Sequence, residues 1–329
     1  MARAWSLKAR PQGMPKHTDF AMVDLDPAEL QDGEVRVANR WLSVDPYMRG
    51  RMNDVKSYVP PFELGKPMQG GAVGEVIESR SDSVKVGAIV QHMSGWRDEA
   101  VLPAAQVQVI PDLGVDMQAY LGQLGMPGMT AYFGLLAVAE AKAGDTVFVS
   151  AAAGAVGSTV VQIAKAKGMT VIGSAGGADK CAWVTSLGAD AVVDYKSEGP
   201  LVKKLMAAAP KGIDVYFDNV GGEHLDAALA TARPGARFAI CGMIDVYNDG
   251  KATELRYLAR LIGNRVRMQG FIVSDFMERT AEFQQEMAAL LASGGLKRQE
   301  TVHEGLETMP DAFLGLFSGG NTGKMLVKV

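Results

Sequence analysis

The sequence predicts an α/β chain in which a β-rich domain precedes a doubly wound parallel sheet. Three observations predict it. At 329 residues with 48% hydrophobic composition, the chain has the length and apolar material for two hydrophobic cores. Residues 1 to 121 show polar/apolar alternation, as in GEVRVANRWLSV and GAVGEVIES, with frequent Gly and Pro, which reads as antiparallel strands. From Thr146 onward, short apolar runs alternate with helical periods, the pattern of parallel strands covered on both faces.

Taken in order, TVFVS (146 to 150) leads to a helix from Ala155, TVIGSAG (170 to 176) to one around Asp179, and AVVDY (191 to 195) to one through Leu201. IDVYFDNV (213 to 220) leads to a helix through Leu225, ARFAICG (236 to 242) to one around Leu255, and VRMQGFIV (266 to 273) closes the set. This is the Rossmann arrangement. A long helix ending near Leu291, a strand at QETVHEG, a helix near Phe313 and a last strand, KMLVKV, complete the chain. The expected divisions are 1–121, 122–293 and a tail, 294–329, that returns to the first domain and leaves a cleft between two lobes.

Composition narrows the function. Lys+Arg 33 against Asp+Glu 37 gives a net charge of −4 with no block of like charge, so neither nucleic acid nor an anionic membrane is an expected partner. Two cysteines, Cys181 and Cys241, build neither a disulfide framework nor a four-cysteine zinc site, and they suit a cytoplasmic protein. The N-terminal MARAWSLKARPQGMPKH has no apolar stretch of a signal peptide. Tyr120 to Ala139 carries no charge and has the length of a membrane span, but it contains Gln123 and Pro127 and has no second segment like it, so a buried helix is expected.

SAAAGAVGSTVVQIAKAKG (150 to 168) sits between a strand and a helix, where a dinucleotide turn belongs. Gly154 would let the backbone approach a pyrophosphate and Gly157 would let the helix close on the strand, with Ala155 and Val156 between them. Ala152 stands where the fingerprint has its first glycine, which leaves open a reading in which the small residues serve packing alone. The next strand ends in Ser174, Ala175, Gly176 and Gly177 with Lys180 beyond, where an NAD site would carry an acidic residue. A neutral end with a nearby cation suits a 2′-phosphate, hence NADPH.

SVDPYMRGRM (43 to 52), GKPMQGGAVGEVI (65 to 77), GMPGMTAYFGL (125 to 135), AAAGAVGS (151 to 158), FDNVGGEHLDAAL (217 to 229), ICGMIDVYN (240 to 248) and GNTGKMLVKV (320 to 329) together cover the chain. The whole resembles the zinc-independent branch of the medium-chain dehydrogenase/reductase superfamily. Within that branch it is similar to leukotriene B4 12-hydroxydehydrogenases, 15-oxoprostaglandin 13-reductases, plant alkenal reductases and bacterial curcumin reductases.

The resemblance implies a GroES-like catalytic domain, a Rossmann domain, an NADPH cofactor, a homodimer formed through the edge strand around Gly270, and reduction of the carbon–carbon double bond of α,β-unsaturated ketones and aldehydes. It implies that Lys180 and Tyr195, with Ser174 close by, hold the adenosine 2′-phosphate, and that Gly154 to Gly157 form the pyrophosphate turn. Asn219 and Cys241 follow as cofactor contacts. Met126, Thr130 and Phe271, Ile272 and Val273 approach the nicotinamide half, and Asn321 is a contact from the tail. Tyr247 stands beside the nicotinamide ribose and the substrate carbonyl, and Tyr47 is a second substrate tyrosine.

A zinc dehydrogenase of this superfamily needs thiolate and imidazole ligands in its first domain, which here has no cysteine, so a metal-free enzyme is expected. Without a Lewis acid, charge developing on the enone oxygen calls for a hydrogen-bond donor, and a neutral tyrosine is one. Two other readings share the cofactor site: an NADPH:quinone oxidoreductase, and a non-catalytic, crystallin-like NADPH-binding protein.

Overall fold

The computed structural model describes residues 1–329 apart from Pro27, Ala28, Asp112, Asp249 and Lys251. The chain divides into two compact units, Met1–Leu121 with Glu300–Val329, and Gly122–Gln299.

In the first unit a largely antiparallel sheet runs Glu300–Glu304, Lys324–Lys328, Glu34–Ser43, Ala72–Ser79, Ile89–His92, Gln108–Val109, with Glu99–Pro103 also paired to Glu34–Ser43. The exception is the parallel pair Glu300–Glu304 and Lys324–Lys328. A hairpin of Ala2–Leu7 and Phe20–Leu25 lies apart from this sheet. Alternation in Glu34–Ser43 turns Val35, Val37 and Leu42 inward, as expected for strands with one buried face. The unit's core includes Trp96 stacked on Phe20 at 5.8 Å and edge-on to Phe313, also at 5.8 Å. Lys324 is buried with Asp45, its Nζ donating to Asp45 Oδ1 at 2.9 Å and to the Val44 carbonyl at 2.8 Å.

The second unit holds six parallel strands among the described residues: β1 (Thr146–Val149), β2 (Thr170–Ala175), β3 (Ala191–Asp194), β4 (Ile213–Asp218), β5 (Ala232–Ile240) and β6 (Arg267–Gly270). Their order, β3-β2-β1-β4-β5-β6, is that of the dinucleotide-binding sheet. In the central strands β1 and β4, successive residues enter different cores. Val147 and Val149 join Val215, Phe217 and the helix Ala155–Ala166, whereas Phe148 joins Tyr216, Phe238 and the helices Leu201–Ala208 and Gly222–Thr231. Burial on both faces is why these strands read as continuous apolar runs.

Two local expectations change. The segment around Leu255 is not a helix: residues 252–255 are irregular, and one helical turn forms later, at Arg260–Gly263. Asp226 Oδ1 accepts the Tyr257 N–H at 3.0 Å while Leu255, Tyr257 and Leu261 pack onto the sheet, so tertiary contacts override helix propensity. The uncharged stretch from Tyr120 is divided among a 3₁₀ turn ending at Leu121, a helix, Met126–Phe133, and a π turn, Gly134–Val138. Among the described residues no helix is long and apolar enough to cross a membrane.

Candidate cofactor site at the strand ends

The carboxyl ends of the six strands lie in register. Val149 is opposite Gly173 and Phe217, Ala175 opposite Asp194, and Ile240 opposite Asp218 and Gly270. The residues that follow each strand therefore emerge along one edge. The strand order reverses between β1 and β4, so the crevice expected to hold a ligand lies where Ser150 and Asn219 leave the sheet.

A buried network locks that point. Asn219 donates its backbone N–H to Ser150 Oγ and its side-chain Nδ2 to the Ser150 carbonyl, both at 2.8 Å. Asp218, fully buried, accepts at Oδ1 from Tyr216 Oη (2.6 Å), Gly221 N (2.8 Å), Val220 N (2.9 Å) and Ser150 Oγ (3.2 Å). Burial raises the Asp218 carboxyl above the usual range, against these donors, which favour its charged form.

The turn after β1 explains the missing first glycine. The positive φ falls on Ala151 (47°), and the Ala152 N–H donates to the Ser174 carbonyl at 2.9 Å. Ala152 is buried in space left by β2, because a Cβ on Gly173 would stand 3.0 Å from the Ala152 Cβ. Gly157 is the close-approach position: a Cβ there would lie 2.3 Å from the Ala151 carbonyl oxygen. A Cβ on Gly154 would meet nothing nearer than that same oxygen, at 3.3 Å. Gly154 caps the twelve-residue helix Ala155–Ala166 without a side-chain hydrogen bond, so the first amides, on Ala155, Val156 and Gly157, have no side-chain cap. Such a terminus attracts an anion.

Ser174, Lys180 and Tyr195 gather at the ends of β2 and β3. Ser174 is buried, its hydroxyl 2.9 Å from His224 Nε2. Tyr195, 40% exposed, meets the His224 ring edge-on with centroids 5.3 Å apart. Asp194 Oδ1 accepts from the Gly177 and Lys196 amides at 3.0 and 2.9 Å, and these bonds hold its carboxyl below the ordinary range. Partial burial and the neighbouring Lys196 lower the Lys180 ammonium.

The other expected residues are distributed as follows. Cys241 donates its N–H to the Asp218 carbonyl at 2.9 Å, and burial pushes its thiol up to about 12. The Tyr247 hydroxyl lies over Gly242 and accepts the Met243 N–H at 3.3 Å. Met126 opens its helix, and its carbonyl accepts from Thr130 Oγ1 at 2.8 Å. Phe271 turns its ring into the core, edge-on to Phe217 at 6.2 Å, and a Cβ on Gly134 would lie 2.4 Å from it. Ile272 and Val273 follow β6 half-buried. Tyr47 and Asn321 belong to the first unit. The Tyr47 hydroxyl is buried with no hydrogen-bond partner among the described residues, and Asn321 Nδ2 donates to the Gly323 carbonyl at 2.8 Å.

Sequence reasoning missed Ser150, Asp218, Lys196 and His224. Asp218 and His224 lie inside FDNVGGEHLDAAL and Ser150 opens the turn motif, but no spacing rule links a strand end to a hydroxyl on another strand. Among the described residues no three His, Cys, Asp or Glu side chains are grouped to hold a metal.

Strand order and strand-end geometry place the second unit in the dinucleotide-binding fold class. Residues 3–110 match the family described as N-terminal domain of oxidoreductase, and residues 155–293 the family described as zinc-binding dehydrogenase. The chain belongs to the medium-chain dehydrogenase/reductase family, in its zinc-independent branch. It is 46% identical to a putative NADP-dependent oxidoreductase, YfmJ, of Bacillus subtilis, over 98% of this chain and 96% of that one. It is 40% identical to the NADPH-dependent curcumin reductase of Escherichia coli, over 99% of this chain and 96% of the relative. The crystal structure of CurA from Vibrio vulnificus in complex with NADPH superposes with a TM-score of 0.94 at 40% identity, covering 99% of each chain.

Proposed function

We propose that the protein reduces the carbon–carbon double bond of α,β-unsaturated ketones and aldehydes with NADPH. The observation that carries this is the uncapped helix and two-lysine corner on one sheet edge, in a chain matching an NADPH-dependent curcumin reductase along nearly its full length. These residues fit the cofactor. Gly154 leaves room for a close backbone approach, the amides from Ala155 to Gly157 face the pyrophosphate, and Lys180 and Tyr195 form the 2′-phosphate corner with Ser174 buried close by. Asn219 and Cys241 bound the crevice at β4 and β5, Met126, Thr130 and Phe271 to Val273 serve the nicotinamide half, and Asn321 adds a contact.

NADPH, when bound, supplies a hydride to the β-carbon of the enone. As negative charge develops on the carbonyl oxygen, the Tyr247 hydroxyl, which accepts the Met243 N–H at 3.3 Å, is the group assigned to donate a hydrogen bond to it. Tyr47 is a second substrate contact, its buried hydroxyl having no partner among the described residues. A proton added at the α-carbon completes the saturated carbonyl product.

We further infer a homodimer joined at β6, whose residues Arg267–Gly270 are all exposed. The two free cysteines support a cytoplasmic setting. The test follows NADPH consumption by chelator-treated protein with a 2-alkenal or enone, beside a quinone and a saturated ketone, and repeats it with NADH. Turnover confined to the activated alkene and favouring NADPH is expected; quinone turnover alone would overturn the proposal.

A further inference from the structure

His224 is used by none of the steps above, yet it sits beneath the corner assigned to the 2′-phosphate. It lies in the first turn of the helix Gly222–Thr231 and is 7% exposed. Its Nε2 is 2.9 Å from Ser174 Oγ at the end of β2, a hydrogen bond whose donor depends on the imidazole tautomer. Its ring meets Tyr195, at the end of β3, edge-on at 76° and 5.3 Å. One imidazole thus joins the end of β2 to the residue that follows the neighbouring strand β3.

Tyr195 is in turn fitted to the turn after β2. A Cβ on Gly176 would fall 2.7 Å from the Tyr195 hydroxyl and 3.0 Å from Lys196 Cε, so only a glycine admits both side chains at this distance. Asp194 Oδ1 ties the same turn to β3 through the Gly177 and Lys196 amides. Lys180 and Lys196 bring positive charge to the corner. Burial depresses the His224 imidazole to about 4, so at neutral pH it is an uncharged hydrogen-bonding strut rather than a third cation.

We propose that His224 is a specificity-determining positioning residue, which selects a 2′-phosphorylated adenosine by holding the Ser174 hydroxyl and the Tyr195 ring in place from below. The inference rests on the NADPH reading of the site. It requires that loss of the imidazole weaken ligands carrying a 2′-phosphate and spare those lacking one.

The experiment measures binding of adenosine 2′,5′-bisphosphate and adenosine 5′-monophosphate by titration calorimetry, and KM for NADPH and NADH, in wild type, H224L and H224Q. Leucine keeps much of the volume but removes the hydrogen bond and the aromatic edge. H224L is expected to weaken the bisphosphate and raise KM for NADPH about fivefold, with the monophosphate, NADH and saturated kcat within about twofold. H224Q, which retains a hydrogen-bonding group for Ser174, is expected to recover part of the loss.

Equal loss for both nucleotides, or none, overturns the inference and leaves the cofactor reading standing. A wild type that fails to distinguish the bisphosphate from the monophosphate overturns both. Should H224L not fold, His224→Met carries the same comparison: selective loss of the bisphosphate supports the role, and unchanged discrimination overturns it.

Discussion

Asn219 and Ser150, 69 residues apart in the chain, are joined by two hydrogen bonds of 2.8 Å, from the Asn219 backbone N–H to Ser150 Oγ and from its side-chain amide to the Ser150 carbonyl. They tie the loop after β4 to the turn after β1 at the point where the strand order reverses. Asn219→Asp would set a carboxylate against that carbonyl, an acceptor facing an acceptor. A loss of about 1–3 kcal/mol is expected, because the amide donor is gone and the new charge lacks a partner. Urea unfolding measures it, and NADPH titration should show weaker binding in the variant.

Gly154 and Gly157 should separate cofactor approach from packing. Gly157→Ala places a methyl group 2.3 Å from the Ala151 carbonyl oxygen and 2.8 Å from the Ala152 Cα, both backbone atoms, so the helix must move. A destabilisation of roughly 1–3 kcal/mol is expected, together with weakened NADPH binding. Gly154 has φ −81° and ψ 177°, open to any residue, and its Cβ would meet little protein. Gly154→Ala should keep the wild-type melting temperature and lose NADPH affinity all the same. A Gly154→Ala protein binding NADPH as wild type would refute the pyrophosphate assignment.

Tyr247→Phe removes the hydroxyl that accepts the Met243 N–H. If that hydroxyl steadies the enone oxygen, kcat should fall by about 10²-fold while KM for NADPH changes little. Steady-state kinetics with a small enone checks this, and an unchanged kcat would remove Tyr247 from the chemistry.

Acid should destabilise the fold through two histidines. Burial lowers both His92 and His224 from 6.5 to about 4, with Arg97 adding to the effect at His92. Between those values the unfolded chain binds more protons, so stability must fall as pH drops from about 6.5 to about 4. Each site accounts for at most roughly 3 kcal/mol. Urea midpoints across this range should decline less steeply in H224L than in wild type, because leucine has nothing to protonate.

Much of the sheet was legible in the chain because its signal is local. β1 to β5 carry apolar runs, and a strand buried on both faces needs no partner's identity to be recognised. The turn motif was legible for the same reason, since Gly154, Gly157 and the helix after them are consecutive. The irregular chain around Leu255 was not, because Asp226, on a different helix, takes the Tyr257 amide.

By itself the sequence determined the α/β class, the alternation of strands and helices from Thr146 apart from the segment around Leu255, and the chemistry available at the strand ends. Tertiary structure decided which ends meet. It turned Ser174 inward to a histidine 50 residues away, set Lys196 beside Lys180, and buried Asp218 under four donors. Pairing order places residues remote in sequence within hydrogen-bond reach, and burial then makes each unmet polar group costly. Neither effect leaves a periodic trace in the chain.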